Sequence, residues 1–144
     1  MNIMLIKELF SDYIADIPNS IGKGELLKVR GSEKAGTLEV FASFEQVQKY
    51  EYVQDFENVM RKNLNINSFT LHCRYSPALF SSKCLPDIIS MLRKKIYVIN
   101  GHFDNAEYSL EEEFVIIDIN GVGYSTLKKA NVEAEIEKLI RELY

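Results

Sequence analysis

In the stretch FTLHCRYSP, Phe69, Leu71, Cys73 and Tyr75 alternate with Thr70, His72 and Arg74. That period of two predicts a β-strand with one buried face. Immediately upstream, Val47, Tyr50, Val53, Phe56, Val59 or Met60, and Leu64 recur at three- and four-residue steps. This spacing predicts an amphipathic helix over Glu45 to Leu64. Its other side, with Gln48, Lys49, Glu51, Gln54, Asp55, Glu57, Asn58 and Arg61, is predicted to be wet. Asn63 and Asn65 suit its end. A striped helix running straight into a one-faced strand restricts the fold, because each must cover the other's apolar side.

The segments before this pair complete a small unit. Met4 to Tyr13 reads as a short helix, broken over Asp16 to Ser20 by Pro18. Glu25 to Arg30 and Thr37 to Ser43 read as strands joined by the turn-forming GSEKAG, hence a β-hairpin. Leu27 and Val29 would share a face, as would Leu38, Val40 and Ala42. Residues 1–76 are therefore expected to form a β-β-α-β unit with a leading helix.

After Pro77 a second unit, 77–144, is expected. Ser82 can cap a helix with Leu85, Ile88, Ile89 and Leu92 on its apolar side and Pro86 in its first turn. A helical turn is predicted around Ile99 to Phe103. A second hairpin pairs Asn105 to Leu110 with Phe114 to Ile119 through Glu111 to Glu113. The run Phe114-Val115-Ile116-Ile117 predicts a strand covered on both faces. A short helix over Ser125 to Lys129 precedes a longer one over Val132 to Leu143, capped by Asn131, with Ile136, Leu139, Ile140 and Leu143 as its stripe. The fold class expected is α+β: two small units, β-β-α-β followed by α-α-β-β-α-α, packed together.

The chemistry-bearing residues form no catalytic constellation. His72 and His102 are thirty positions apart, with no Cys or carboxylate at zinc-ligand spacing. His72 and Arg74 read as surface positions with no partner in the sequence. Glu111, Glu112 and Glu113 are a charge run at a turn rather than a separated acid–base pair. Gly121-Val122-Gly123 occupies a strand-to-helix position, but Thr126 stands where a dinucleotide fingerprint needs its third glycine. Cys73 and Cys84 are too few for a disulfide framework, and Cys73 is expected to pack as a small hydrophobe. No catalytic, cofactor or metal residue is assigned, and no small-molecule substrate or cofactor is expected.

Charge narrows the partners. The chain carries 17 basic and 21 acidic residues, a net charge of −4. Such a balance disfavours broad contact with phosphate backbones, which needs clustered Lys and Arg. The candidates for a local basic interaction patch are Lys83, Arg93, Lys94, Lys95, Lys128 and Lys129. The first residues, MNIMLIKELF, are too short and too charged for a signal peptide or a membrane span, so a cytoplasmic location and no membrane contact are expected.

Several phrases carry a family resemblance. KELFSDY, ELLKVRGSEKAGTLEVFASF, FENVMRKNLNI and FTLHCRYSP resemble the first N-terminal domain of PolC-type bacterial DNA polymerase III α subunits. LPDIISMLRKKIYVINGHFDNAEYSLEEEFVIIDI and LKKANVEAEIEKLIRELY look like the start of the second N-terminal domain. The second unit is also similar to the type II KH-like modules of the initiator DnaA and the clamp-loader τ subunit. The resemblance implies a non-catalytic fragment of a longer polymerase, truncated before the module's last strand, that makes protein contacts with other replisome members. Two other readings remain open: a KH-like module for single-stranded nucleic acid, for which the GxxG clamp is missing, and a small α/β adaptor that homodimerises through an open sheet edge.

Overall fold

A computed structural model describes residues 3–96, 103–104, 106–112, 114–119, 128 and 131–144. The fold is α+β, and the chain divides into two compact units, Met1–Leu79 and Phe80–Glu142.

In the first unit, β1 (Glu25–Ser32) and β2 (Thr37–Phe44) form an antiparallel hairpin, and β3 (Ser68–Tyr75) joins β2 in parallel. Parallel neighbours need a crossover. The helix α3 (Tyr50–Leu64) supplies it. The β2–β3 register is unbroken from Thr37↔Ser68 to Phe44↔Tyr75, so Val40, Ala42 and Phe44 fall beside Leu71, Cys73 and Tyr75 on one buried face. Val53, Phe56 and Met60 of α3 are buried with them. Phe69 receives Phe56 edge-on at 5.6 Å and Phe10 at 5.8 Å.

The hairpin turn sets where β3 begins. Gly36 has φ +67°, a left-handed conformation that costs glycine nothing. Its carbonyl accepts the N–H groups of Asn67 (2.8 Å) and Ser68 (3.2 Å), while the Asn67 amide donates to the Ala35 carbonyl at 3.0 Å. A Cβ at Gly36 would lie 2.8 Å from Asn67 Nδ2, so the close approach also requires glycine.

Several local expectations are corrected. The first helix is only α1 (Ile6–Leu9). Phe10 leaves helical geometry so that its ring reaches the core, and a 3₁₀ segment, Ser11–Asp16, follows. Pro18 then opens a short α2 (Asn19–Gly22). The helix predicted from Glu45 starts at Tyr50 because residues 45–49 have another task. Gln48, expected in water, is buried, and its backbone N–H donates to the Tyr75 hydroxyl at 3.1 Å. Glu57, also placed on the wet side, accepts the Leu71 N–H at 2.7 Å and so covers a donor on the edge strand β3. A β-bulge between Leu26 and Lys28 breaks the alternation of β1. Leu27 and Val29 are therefore no buried row; they are 60% and 46% exposed. The end of α3 is as expected, with Asn65 left-handed at φ 53°.

The second unit opens with a 3₁₀ turn, Ser82–Cys84, and α4 (Leu85–Lys95). Cys84 therefore occupies the cap position expected for Ser82. Leu85, Ile88, Ile89 and Leu92 are all buried, as the stripe predicts. The hairpin is β4 (Glu107–Glu111) with β5 (Phe114–Asp118). Glu112 turns it at φ 49°, the left-handed geometry tight hairpins use. The expectation that β5 is covered on both faces fails: Phe114 is 69% and Ile116 37% exposed. A two-stranded ribbon covered on one side leaves alternate residues of an apolar run in water. The last helix, α5 (Val132–Leu143), has the predicted bounds, with Val132, Ile136 and Leu139 buried. Asn131 precedes it in a left-handed conformation, and its side chain makes no capping bond. The turn predicted over 99–103 lies outside the described residues except for Phe103, as does the helix over 125–129 except for Lys128, which is helical.

Both cysteines are buried, and neither forms a disulfide. Burial pushes the Cys73 thiol up to about 11, which keeps it protonated near neutrality and suits the packing role expected of it. Among the described residues, no helix is long and apolar enough to cross a membrane.

Candidate functional site

Helix α3 covers one face of the three-stranded sheet, and alternation sends the other residues to the opposite face. There the register places Lys28 beside Phe41, Phe41 beside His72, Arg30 beside Glu39, and Ser43 beside Arg74. The Phe41 and His72 rings stack with centroids 4.3 Å apart and planes 15° from parallel. Lys28 Nζ lies 5.4 Å and Arg30 Cζ 5.7 Å from the Phe41 centroid, within cation–π range. Glu39 joins the row: one carboxylate oxygen accepts Arg30 Nε at 2.7 Å, and the other meets His72 Nε2 at 3.0 Å. His72 thus has a partner, contrary to the sequence reading, and Arg74 also interacts within the structure.

The hydrogen bond from Arg30, then that from His72, lower Glu39 from 4.5 to about 2. The same pair raises Arg30 above its ordinary value. A carboxylate depressed in the fold contributes stability above its unfolded pKa and loses it as pH falls through the folded one. The window here is therefore pH 4.5 down to about 2. A carboxyl-detected NMR titration should place the Glu39 midpoint near 2 and return it toward 4.5 in Arg30→Gln. A wild-type midpoint at 4.5 would contradict the network.

In the second unit, a concavity of about 790 Å³ is lined on one side by Phe114 and Ile116 of β5 and on another by Ile136 and Ile140 of α5. Phe80 and Phe103 contribute to its wall, and Phe80 packs edge-on against Tyr144 at 5.1 Å. Lys128 and Arg141 bring positive charge to its lining, Glu133 and Glu137 negative charge. The lining is mainly apolar, so its chemistry is that of docking rather than of proton transfer.

The residues of the expected basic patch are placed as follows. Lys83 is exposed in the turn before α4, while Arg93, Lys94 and Lys95 occupy its last turn. Lys83 and Arg93 are ten positions apart, about 15 Å at helical rise. Arg93 is engaged by Asp104 at 3.0 Å, and its Nε is buried without a hydrogen-bond partner among the described residues. Lys128 is exposed and lines the concavity; Lys129 lies outside the described residues. Sequence reasoning missed Lys28, Arg30, Glu39 and Phe41. Their alternation was legible, but not the strand register that groups them. Among the described residues, no group of three His, Cys, Asp or Glu is placed to hold a metal ion. No family model, curated protein or solved structure matches the chain.

Proposed function

We propose that this chain is a non-catalytic interaction module of a PolC-like replicative polymerase, working in the cytoplasm, whose second unit docks an apolar segment of another replisome protein. The observation that carries the reading is the concavity between β5 and α5, with Phe114 and Ile116 standing exposed at its wall. An apolar run that leaves a phenylalanine 69% exposed loses hydrophobic free energy unless something covers it. A partner helix or extended segment inserting apolar side chains would recover that loss, and Lys128 and Arg141 would orient acidic flanks. The family assignment rests on the resemblance of the sequence phrases, which span both units.

The test is surface plasmon resonance of the full chain against the replisome subunits of the source cell. Saturable binding to one of them is expected. Phe114→Ser combined with Ile116→Ser should weaken it by about tenfold or more, as for truncated hot-spot anchors. Both positions are already exposed, so the thermal midpoint should hardly move. Undiminished binding by the double variant would remove the concavity from the account, and no binding to any subunit would overturn the module reading.

A further inference from the structure

We propose that the open face of the first unit's sheet binds single-stranded nucleic acid, with bases stacking at the Phe41–His72 ring pair and phosphates held by Lys28, Arg30 and Arg74. This face is separate from the concavity and from the KH-like reading of the second unit.

The face has the three elements such a ligand needs. Its centre is aromatic: two rings from adjacent strands, already parallel and 4.3 Å apart. Stacking on exposed rings is how proteins take up bases without reading sequence, because every base has a π-face. Its flanks are cationic. Lys28 and Arg30 on β1 and Arg74 on β3 flank the rings on the same face, from the two edge strands. Against them stand Glu25 and Glu39, and Glu39 is engaged by Arg30 and His72. The face is thus formally positive on a chain of net charge −4. On the same face, Ser43 and Thr70 beside the rings and Thr37 and Ser68 further along the strands carry hydroxyls able to donate to or accept from phosphate, sugar or base edges.

The geometry also shows how a base gains access. Lys28 and Arg30 lie over the Phe41 ring. The Arg30 side chain is 59% exposed and the His72 side chain 41%, so both can move or be covered. A base entering the stack takes the place of a cation over the ring, and the released cation has a phosphate beside it. Three strands at about 4.8 Å spacing give a face about 10 Å wide, enough for about two or three stacked bases. A duplex hides its base faces within the stack and offers the rings nothing. An acidic peptide would satisfy the cations and leave the ring pair unused.

The experiment is fluorescence anisotropy of the full chain with fluorescein-labelled oligo-dT and oligo-U at low salt, competed by duplex DNA and by poly-glutamate. Saturable binding to either oligonucleotide is expected, and their ratio reports the sugar preference. Three phosphate contacts should give a slope of log K against log salt of roughly −2. Phe41→Ala should weaken binding by about 5- to 150-fold, the range for loss of one stacking platform. Phe41→Tyr, which keeps the ring, should bind as the wild type, and a far-ultraviolet circular dichroism spectrum of Phe41→Ala equal to wild type separates loss of the ring from a folding defect. Arg74→Gln should reduce the slope by about 0.7. No saturable binding at low salt would overturn the proposal. So would a Phe41→Ala affinity equal to wild type in a folded variant, or competition by poly-glutamate as effective as by unlabelled oligo-dT. The last outcome would identify an acidic protein surface as the ligand.

Discussion

Replacing Phe56 by alanine is expected to cost the first unit about 3–5 kcal/mol. Phe56 is 2% exposed and meets the Phe69 ring edge-on at 83°. Truncation removes the transfer free energy of a whole ring and that edge contact, and leaves a void between α3 and β3. Relaxation is restricted on both sides, since Val53 and Met60 stand one turn away on the helix and Phe10 already occupies the other approach to Phe69. Total stability in domains of this size is about 5–15 kcal/mol, so the loss is a large fraction of the whole. Urea denaturation followed by far-ultraviolet circular dichroism would measure it. A cost under 1 kcal/mol would mean that α3 does not pack on the sheet as described.

The second large effect is expected in the other unit. Leu92 is 0% exposed and closes the apolar stripe of α4, one turn from Ile88 and Ile89. Leu92→Ala should destabilise the second unit by about 2–5 kcal/mol. Its core is small, so few neighbours can shift to fill the space. Native-state hydrogen exchange should show the loss as lowered protection of α4 and α5 amides. Unchanged protection there would place Leu92 outside the core. The contrasting substitution, Lys95→Ala in the same final turn, touches an exposed side chain and should stay within about 0.5 kcal/mol.

Local signals carried much of this fold. The three- and four-residue recurrence of Val53, Phe56 and Met60 located α3, and the alternation from Phe69 to Tyr75 located β3 and its buried face. Turn chemistry located the hairpin between β1 and β2. What failed locally did so for long-range reasons. The start of α3 moved to Tyr50 because the Tyr75 hydroxyl, 27 residues away, takes the Gln48 N–H. Glu57 left the wet side because Leu71, 14 residues on, has an edge N–H to satisfy. The apolar run at Phe114 looked like a doubly covered strand, since periodicity records which side chains are apolar and not what lies over them.

The candidate sites divide the same way. Period two marked Thr70, His72 and Arg74 as one face, and the same rule would have grouped Glu39 with Phe41. Nothing local could bring the two sets together, because Glu39 and His72 are 33 residues apart. Their meeting depends on the in-step parallel register of β2 and β3, pinned where Asn67 and Ser68 bind the Gly36 carbonyl. The sequence by itself therefore determined the elements, their apolar faces and the lack of a legible catalytic motif, since propensity and periodicity act over a few residues. Only the tertiary structure decided which polar residues meet on the open sheet face and which apolar ones stay uncovered, because register and layering are set by contacts between segments far apart in the chain.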